Sequence, residues 1–288
     1  MEKKQRECKP SDIGLKSYFL GPKSENSTFL LEYLLKCASD HCDWRRTNFF
    51  EDGRAISLED QLSPNFRQNS EGIRKFALKL SRRFQNELPK YSPRYVGHMC
   101  SDLSLPAILG HWLTVLYNPN NISRESSYVG LQIENEALYH MMTMLGWKKG
   151  IGHFTSGGTI ANLEAMLRMR NKFPVTSAPK LLLTSAAHYS WKKALHITGF
   201  SESSILEIPL DQYGRLSVAS LSKLLKGIKK EKTPVLGLVS LFGSTELGSI
   251  DDIANINDLL SIYSDLKIWH HVDAAYGGFF ASLGADTG

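Results

Sequence analysis

The sequence predicts an α/β fold, a mostly parallel sheet with flanking helices, preceded by a helical N-terminal segment. Three observations predict it. From about residue 180 onward, short β-prone runs alternate with helix-like stretches, the order that builds a parallel sheet with crossover helices. Before residue 92, apolar residues recur at helical spacing. At 288 residues with 42% hydrophobic and 22% charged, the chain can bury a sizeable core, and its composition argues against disorder, collagen-like repeats and a membrane bundle.

The elements follow in order. Over 28–37, Phe29, Leu30, Tyr33, Leu34 and Cys37 share a helical face, and Ile73, Phe76, Ala77, Leu80 and Phe84 repeat the pattern. Between them 51–70 is polar, with Gly53, Ser63 and Pro64 as breakers, and reads as an extended connection. Pro89, Ser92 and Pro93 mark a boundary, dividing the chain into 1–92 and 93–288. Helix-like 103–117 and 131–145 lead to a turn at Gly157 and Gly158 and a helix over 160–170. Strands are expected at 181–184, 205–209, 235–240 and 268–272, separated by helices at 191–197, 218–228 and 253–263. Ligands of such sheets bind at the carboxyl ends of the strands.

Charge and cysteine content narrow the partners. All of the net +5 falls in the first hundred residues, 18 basic against 13 acidic, and Glu2 and Glu7 interrupt Lys3, Lys4, Arg6 and Lys9. That is not the concentrated basic face of a nucleic-acid binder, so none is expected. The most apolar stretch, 103–117, is broken by Pro106, Gly110 and His111 and is shorter than a membrane span. The charged 1–10 lacks the apolar core of a secretory signal, and Cys8, Cys37, Cys42 and Cys100 form neither a CxxC pair nor a disulfide framework. A reducing, cytoplasmic setting is expected, with no membrane partner and no metal.

Three places carry the chemistry. Thr155-Ser156-Gly157-Gly158-Thr159-Ile160-Ala161-Asn162 feeds small residues into a helix N-terminus, where free N–H groups and a hydroxyl can cradle a phosphate; the alternative is a helix cap by Thr159. It lacks the glycine spacing of a dinucleotide site or a P-loop. His188 follows the first expected strand, where an imidazole can stack on a planar ligand or move a proton, or serve structurally. Asp273 ends an apolar strand, and a carboxylate there is costly unless a cation or hydrogen bonds meet it. Ala274, Ala275, Gly277 and Gly278 leave room beside it for a bulky ligand. A phosphate cradle, a stacking imidazole and an acid for a pyridinium nitrogen together describe a pyridoxal phosphate site.

Six motifs in order also resemble the group II pyridoxal-phosphate decarboxylases of fold type I, and among them the microbial tyrosine- and glutamate-decarboxylase-like members. They are Pro93-Arg94-Tyr95-Val96-Gly97-His98-Met99, Tyr117-Asn118-Pro119-Asn120-Asn121, Ser156-Gly157-Gly158-Thr159-Ile160-Ala161-Asn162-Leu163, His188-Tyr189-Ser190-Trp191, Gly243-Ser244-Thr245-Glu246-Leu247-Gly248 and His271-Val272-Asp273-Ala274-Ala275-Tyr276-Gly277-Gly278. The resemblance implies that Gly157, Gly158 and Thr159 hold the phosphate, His188 stacks on the ring and Asp273 pairs with the ring nitrogen. It also implies that Ala275 lies under the ring, Thr245 contacts the cofactor and His98 lines the substrate pocket. It further implies decarboxylation of an L-amino acid, with His188 and Asp273 as catalytic residues, in a homodimer whose N-terminal helical segment meets the partner.

One feature of the family has no match here. Its cofactor is anchored on a lysine beyond the Asp273 motif, whereas this chain ends fifteen residues past Asp273 and its last lysine is Lys267. The expectation is a truncated chain without the small C-terminal domain, either part of a decarboxylase or a catalytically dead cofactor-binding or dimerising fragment. Another fold type I reaction, such as transamination, is the rival within the class. A Ser-x-x-Lys hydrolase is disfavoured, because that spacing occurs four times and its companion motifs do not occur.

Overall fold

The computed structural model describes residues 14–97, 100–173 and 178–283. Contacts gather the chain into two units, 1–127 and 128–288.

The first unit is helical: Ser27–Asn48 (α1), Leu58–Leu62 (α2), Pro64–Phe84 (α3) and Leu105–Tyr117 (α4). The stretch 51–70 is not the extended connection its composition suggests. Ser57 and Asp60 form a reciprocal capping box that starts α2, and Ser63 accepts the Phe66 N–H to start α3. Pro64 opens the second helix instead of breaking the chain, since a first-turn residue has no intrahelical use for the N–H that proline lacks. Trp112 Nε1 donates to the Leu34 carbonyl at 3.2 Å, tying α4 to α1. Buried His41 sits edge-on to Tyr117 at 4.6 Å. The α3 face carrying Ile73 and Phe76 stays in solvent, those residues being 70% and 67% exposed.

The second unit is the α/β part. Its helices are Tyr128–Met144 (α5), Gly158–Arg170 (α6), Ser190–Ile197 (α7), Val218–Glu231 (α8) and Ile253–Ile262 (α9). Its strands, Lys180–Leu183 (β1), Ile205–Glu207 (β2), Val235–Leu241 (β3) and His270–Asp273 (β4), pair in parallel in the order β2-β1-β3-β4. All seven residues of β3 are buried, as a central parallel strand covered on both faces requires. On one face Met166, Met169, Trp191 and Leu195 from α6 and α7 meet Leu181, Leu183, Val239 and Leu241. On the other, Leu221, Leu225 and Ile256 from α8 and α9 meet Leu182, Val235 and Leu238. The register shifts by one residue where Lys180 faces Val235 and Leu181 faces Gly237. That bulge turns Leu236 and Gly237 toward the same face; a Cβ on Gly237 would lie 2.7 Å from Met169 Sδ and 2.8 Å from the Trp269 carbonyl.

The chain runs from β1 to β2 on one side and returns to β3 on the other, so the strand order reverses between β1 and β3. A crevice at the carboxyl ends of these strands is where such sheets hold ligands. Among the described residues, no helix is long and apolar enough to cross a membrane.

Candidate functional site

Three strands deliver side chains to that end of the sheet. β1 leads into the loop carrying His188, β3 into Gly243-Ser244-Thr245, and β4 ends on Asp273. The glycine turn arrives from a different direction, at the start of α6. Gly157 is its N-cap residue, with φ +145°, a conformation that side chains disfavour. No side chain caps this helix, so the alternative of a cap by Thr159 does not hold; Thr159 is the second helical residue and is exposed.

Asp273 is 8% exposed, yet its charge is met by three N–H donors. Asn162 Nδ2 donates to Oδ2 at 2.8 Å, Trp191 Nε1 to the same oxygen at 3.2 Å, and the Ala275 backbone N–H to Oδ1 at 3.3 Å. These bonds offset the cost of desolvating the carboxylate. Two oxygens offer about four acceptor positions, so Oδ1 retains capacity for one more donor.

Asn162 lies one turn into α6 and joins the glycine turn to the acid. A second contact closes the same gap: a Cβ built on Gly158 would lie 2.9 Å from the Ala275 Cβ. The Gly243 turn also abuts the loop after β4, because a Cβ on Gly277 would lie 2.2 Å from the Phe242 carbonyl oxygen. Small residues at these positions are what let three chain segments converge.

His188 is half-buried and its Nδ1 lies 2.8 Å from Ser190 Oγ, while Ser190 Oγ lies 3.0 Å from Asn162 Nδ2. His188, Ser190, Asn162 and Asp273 thus form one hydrogen-bonded chain. Behind it, Trp191 is fully buried and meets His271 edge-on at 5.0 Å. Burial pushes the His271 imidazole below its usual pKa despite the pull of Asp273 in the other direction.

The structure therefore brings Gly158, Asp273 and Ala275 together directly and links His188 to them through Ser190 and Asn162. Thr245 is half-buried in the turn after β3 and is not a member of the hydrogen-bonded chain from His188 to Asp273. His98 lies outside the described residues. Sequence reasoning passed over Asn162, Ser190 and Trp191 as site residues. Asn162 and Ser190 stand inside motifs quoted for other positions, and the available signal was that Asn162 shares one helical face with the apolar Ala165, Met166 and Met169.

The residues fit pyridoxal phosphate. Small residues shape the ground between the glycine turn and the β4 loop, and a buried acid with spare acceptor capacity suits a protonated ring nitrogen. The model for the pyridoxal-dependent decarboxylase conserved domain matches residues 57–283. L-tyrosine decarboxylase of Levilactobacillus brevis is 30% identical, over 99% of this chain and 54% of that protein. The acidic amino acid decarboxylase GADL1 of Bos taurus is 27% identical, over 82% of this chain and 45% of that protein. The chain spans about half the length of these curated relatives. The crystal structure of mouse CSAD in apo form superposes with a TM-score of 0.66 at 22% identity, covering 88% of this chain and 56% of that one, which supports the fold. With most of its length matched by that domain and its acid, glycine turn and imidazole converging at one end of a parallel sheet, the chain belongs to the pyridoxal-dependent decarboxylase family.

Proposed function

We propose that this chain forms the cofactor-holding part of a pyridoxal-phosphate-dependent decarboxylase acting on an L-amino acid. The observation that carries the reading is the joining of the glycine turn to the acid, through Asn162 on Asp273 and Gly158 against Ala275. When bound, the cofactor supplies an electron sink for the charge left at Cα as carbon dioxide departs.

The chain's own residues do the rest. Gly157, Gly158 and Thr159 offer first-turn N–H groups and a hydroxyl to the phosphate, aided by the positive end of α6. Asp273 would hold the proton on the ring nitrogen, since opposite charges at short range each favour the charged form. His188 would stack over the ring, and Ala275 would give it a small neighbour. Thr245 would contact the cofactor from the β3 turn, and the family resemblance alone assigns His98, which lies outside the described residues, to the substrate pocket. Residues 93–288 carry this function and 1–92 form a helical segment that meets a second copy in a homodimer, a reading supported by the exposed apolar face of α3. Free thiols at Cys37, Cys42 and Cys100 suit a reducing, cytoplasmic setting.

The test is a titration of the chain with pyridoxal phosphate, followed by absorbance. Asp273→Asn keeps the shape and removes the charge, and a hydrogen bond to a charged group contributes about 1.5–3 kcal/mol. Affinity is expected to fall by roughly tenfold to a hundredfold. Equal binding by the parent chain and Asp273→Asn would count against this role of Asp273.

A further inference from the structure

We propose that Asn162, acting through Ser190, fixes His188 as the tautomer protonated on Nε2, making Asn162 and Ser190 positioning residues for that imidazole.

The assignment follows from counting hydrogens along the chain of contacts. The charged Asp273 only accepts, so the group 2.8 Å from its Oδ2 must be the Asn162 nitrogen and not the amide oxygen. That NH2 carries two hydrogens. One goes to Asp273 and the other points at Ser190 Oγ, 3.0 Å away. Ser190 Oγ accepts there, and its own single hydrogen is then available for His188 Nδ1 at 2.8 Å. The Ser190 backbone N–H is directed at the same nitrogen from 3.3 Å. The backbone N–H is a fixed donor that a proton on Nδ1 would oppose, whereas a bare Nδ1 accepts both it and the Ser190 hydroxyl hydrogen, so the neutral ring carries its hydrogen on Nε2.

The consequence is directional. The acid that the proposed function sets against the ring nitrogen also orients, three hydrogen bonds away, the imidazole that would stack on that ring. Nε2–H becomes the end of His188 that can donate a hydrogen bond or a proton to a ligand. The use made of the tautomer rests on the proposed function, whereas the tautomer itself rests on protein contacts alone.

The test is nitrogen NMR of the full chain labelled with ¹⁵N-histidine, without cofactor, with the His188 signals identified by their loss in His188→Gln. The expected spectrum has Nδ1 at the unprotonated imidazole position and Nε2 at the protonated one. In Asn162→Leu the Ser190 hydroxyl is released, and the two His188 signals should converge toward the tautomer average of free histidine. Ser190→Ala, a smaller change, removes the hydroxyl and leaves only the longer backbone N–H on Nδ1, so the two signals should move toward each other in part, with the other eight histidines as the check that the fold is kept. A protonated Nδ1 in the parent chain, or widely separated signals retained in both folded variants, would overturn the proposal. Pyridoxal phosphate titrated into the same samples separates the two readings. An intact tautomer without cofactor binding supports this inference while removing the proposed function. Cofactor binding with averaged signals in the parent chain overturns the inference alone.

Discussion

At the scale of single residues, the site is set by what is missing from its side chains as much as by what is present. Gly158 adopts helical backbone that alanine tolerates, but a methyl there would lie 2.9 Å from the Ala275 Cβ, closer than real methyl carbons approach. Gly158→Ala is therefore expected to destabilise the fold by about 1–3 kcal/mol, the usual cost of overpacking. Ala275→Gly in the same chain should recover part of that loss. A double-mutant cycle from urea unfolding measures the coupling, and strictly additive costs would mean that this contact is not the obstacle. Asp273 and His188 were legible in the sequence as candidates because a carboxylate ending one strand and an imidazole following another fall where a parallel sheet holds its ligands. Asn162 and Trp191 were not, because their role lies in reaching Asp273 across 111 and 82 residues of chain, a proximity that only the sheet creates.

Elements position these residues, and two polar groups, one half-buried and one buried, hold the elements. His270 bridges three of them: its Nε2 lies 2.7 Å from Ser240 Oγ on β3 and its Nδ1 lies 2.8 Å from Asn257 Oδ1 on α9. Asn257 Oδ1 can only accept, so Nδ1 carries the hydrogen and Nε2 accepts from Ser240. Burial and the neighbouring His271 lower its pKa to about 4 from 6.5. An imidazole that refuses its proton when folded and takes it when unfolded favours unfolding as pH falls, so stability should drop between about pH 6.5 and pH 4. His271, also lowered by burial, adds in the same direction. Urea midpoints at pH 7 and pH 5 check this, with His270→Gln expected to reduce the difference; an undiminished difference in that variant would contradict the assignment.

Asp251 is the second such group. Its Oδ1 accepts the Leu216 N–H and its Oδ2 the Leu241 N–H, both at 2.7 Å, which anchors the segment leading into the Gly243-Ser244-Thr245 turn. Burial raises its pKa even though both backbone bonds pull it down. Asp251→Asn would set an NH2 against one of those N–H groups, and an unmet buried donor costs about 1–3 kcal/mol, readable in the urea midpoint. The strands and the helices around them were legible from alternation of apolar runs, with ends misjudged by one to a few residues. The 51–70 connection was not, because Ser63 and Pro64 carry the same identity whether they break a helix or begin one, and only the cap geometry decides.

On the scale of the whole molecule, two expectations remain open to direct measurement. The apolar stripe of α3 suits a second copy of the chain, so light scattering after size exclusion should give a dimer mass, and Ile73→Asp with Phe76→Asp should shift it to the monomer without loss of helical circular dichroism. A monomeric parent chain would remove the dimer from the account. No lysine within these 288 residues matches the family's anchoring lysine: Lys192 pairs with Glu202 at 3.1 Å and Lys193 lies over the Tyr189 ring at 4.5 Å. Borohydride reduction of the chain with its cofactor should accordingly leave no lysine specifically labelled, as judged by peptide mass mapping.

The central claim is that one small molecule spans the glycine turn and the acid at the end of β4. A crystal structure of this chain soaked with pyridoxal phosphate tests it most directly. The account predicts phosphate oxygens on the N–H groups of the Gly157-Gly158-Thr159 turn and the ring nitrogen on Asp273. Phosphate bound elsewhere, or a ring nitrogen turned away from that carboxylate, would contradict it.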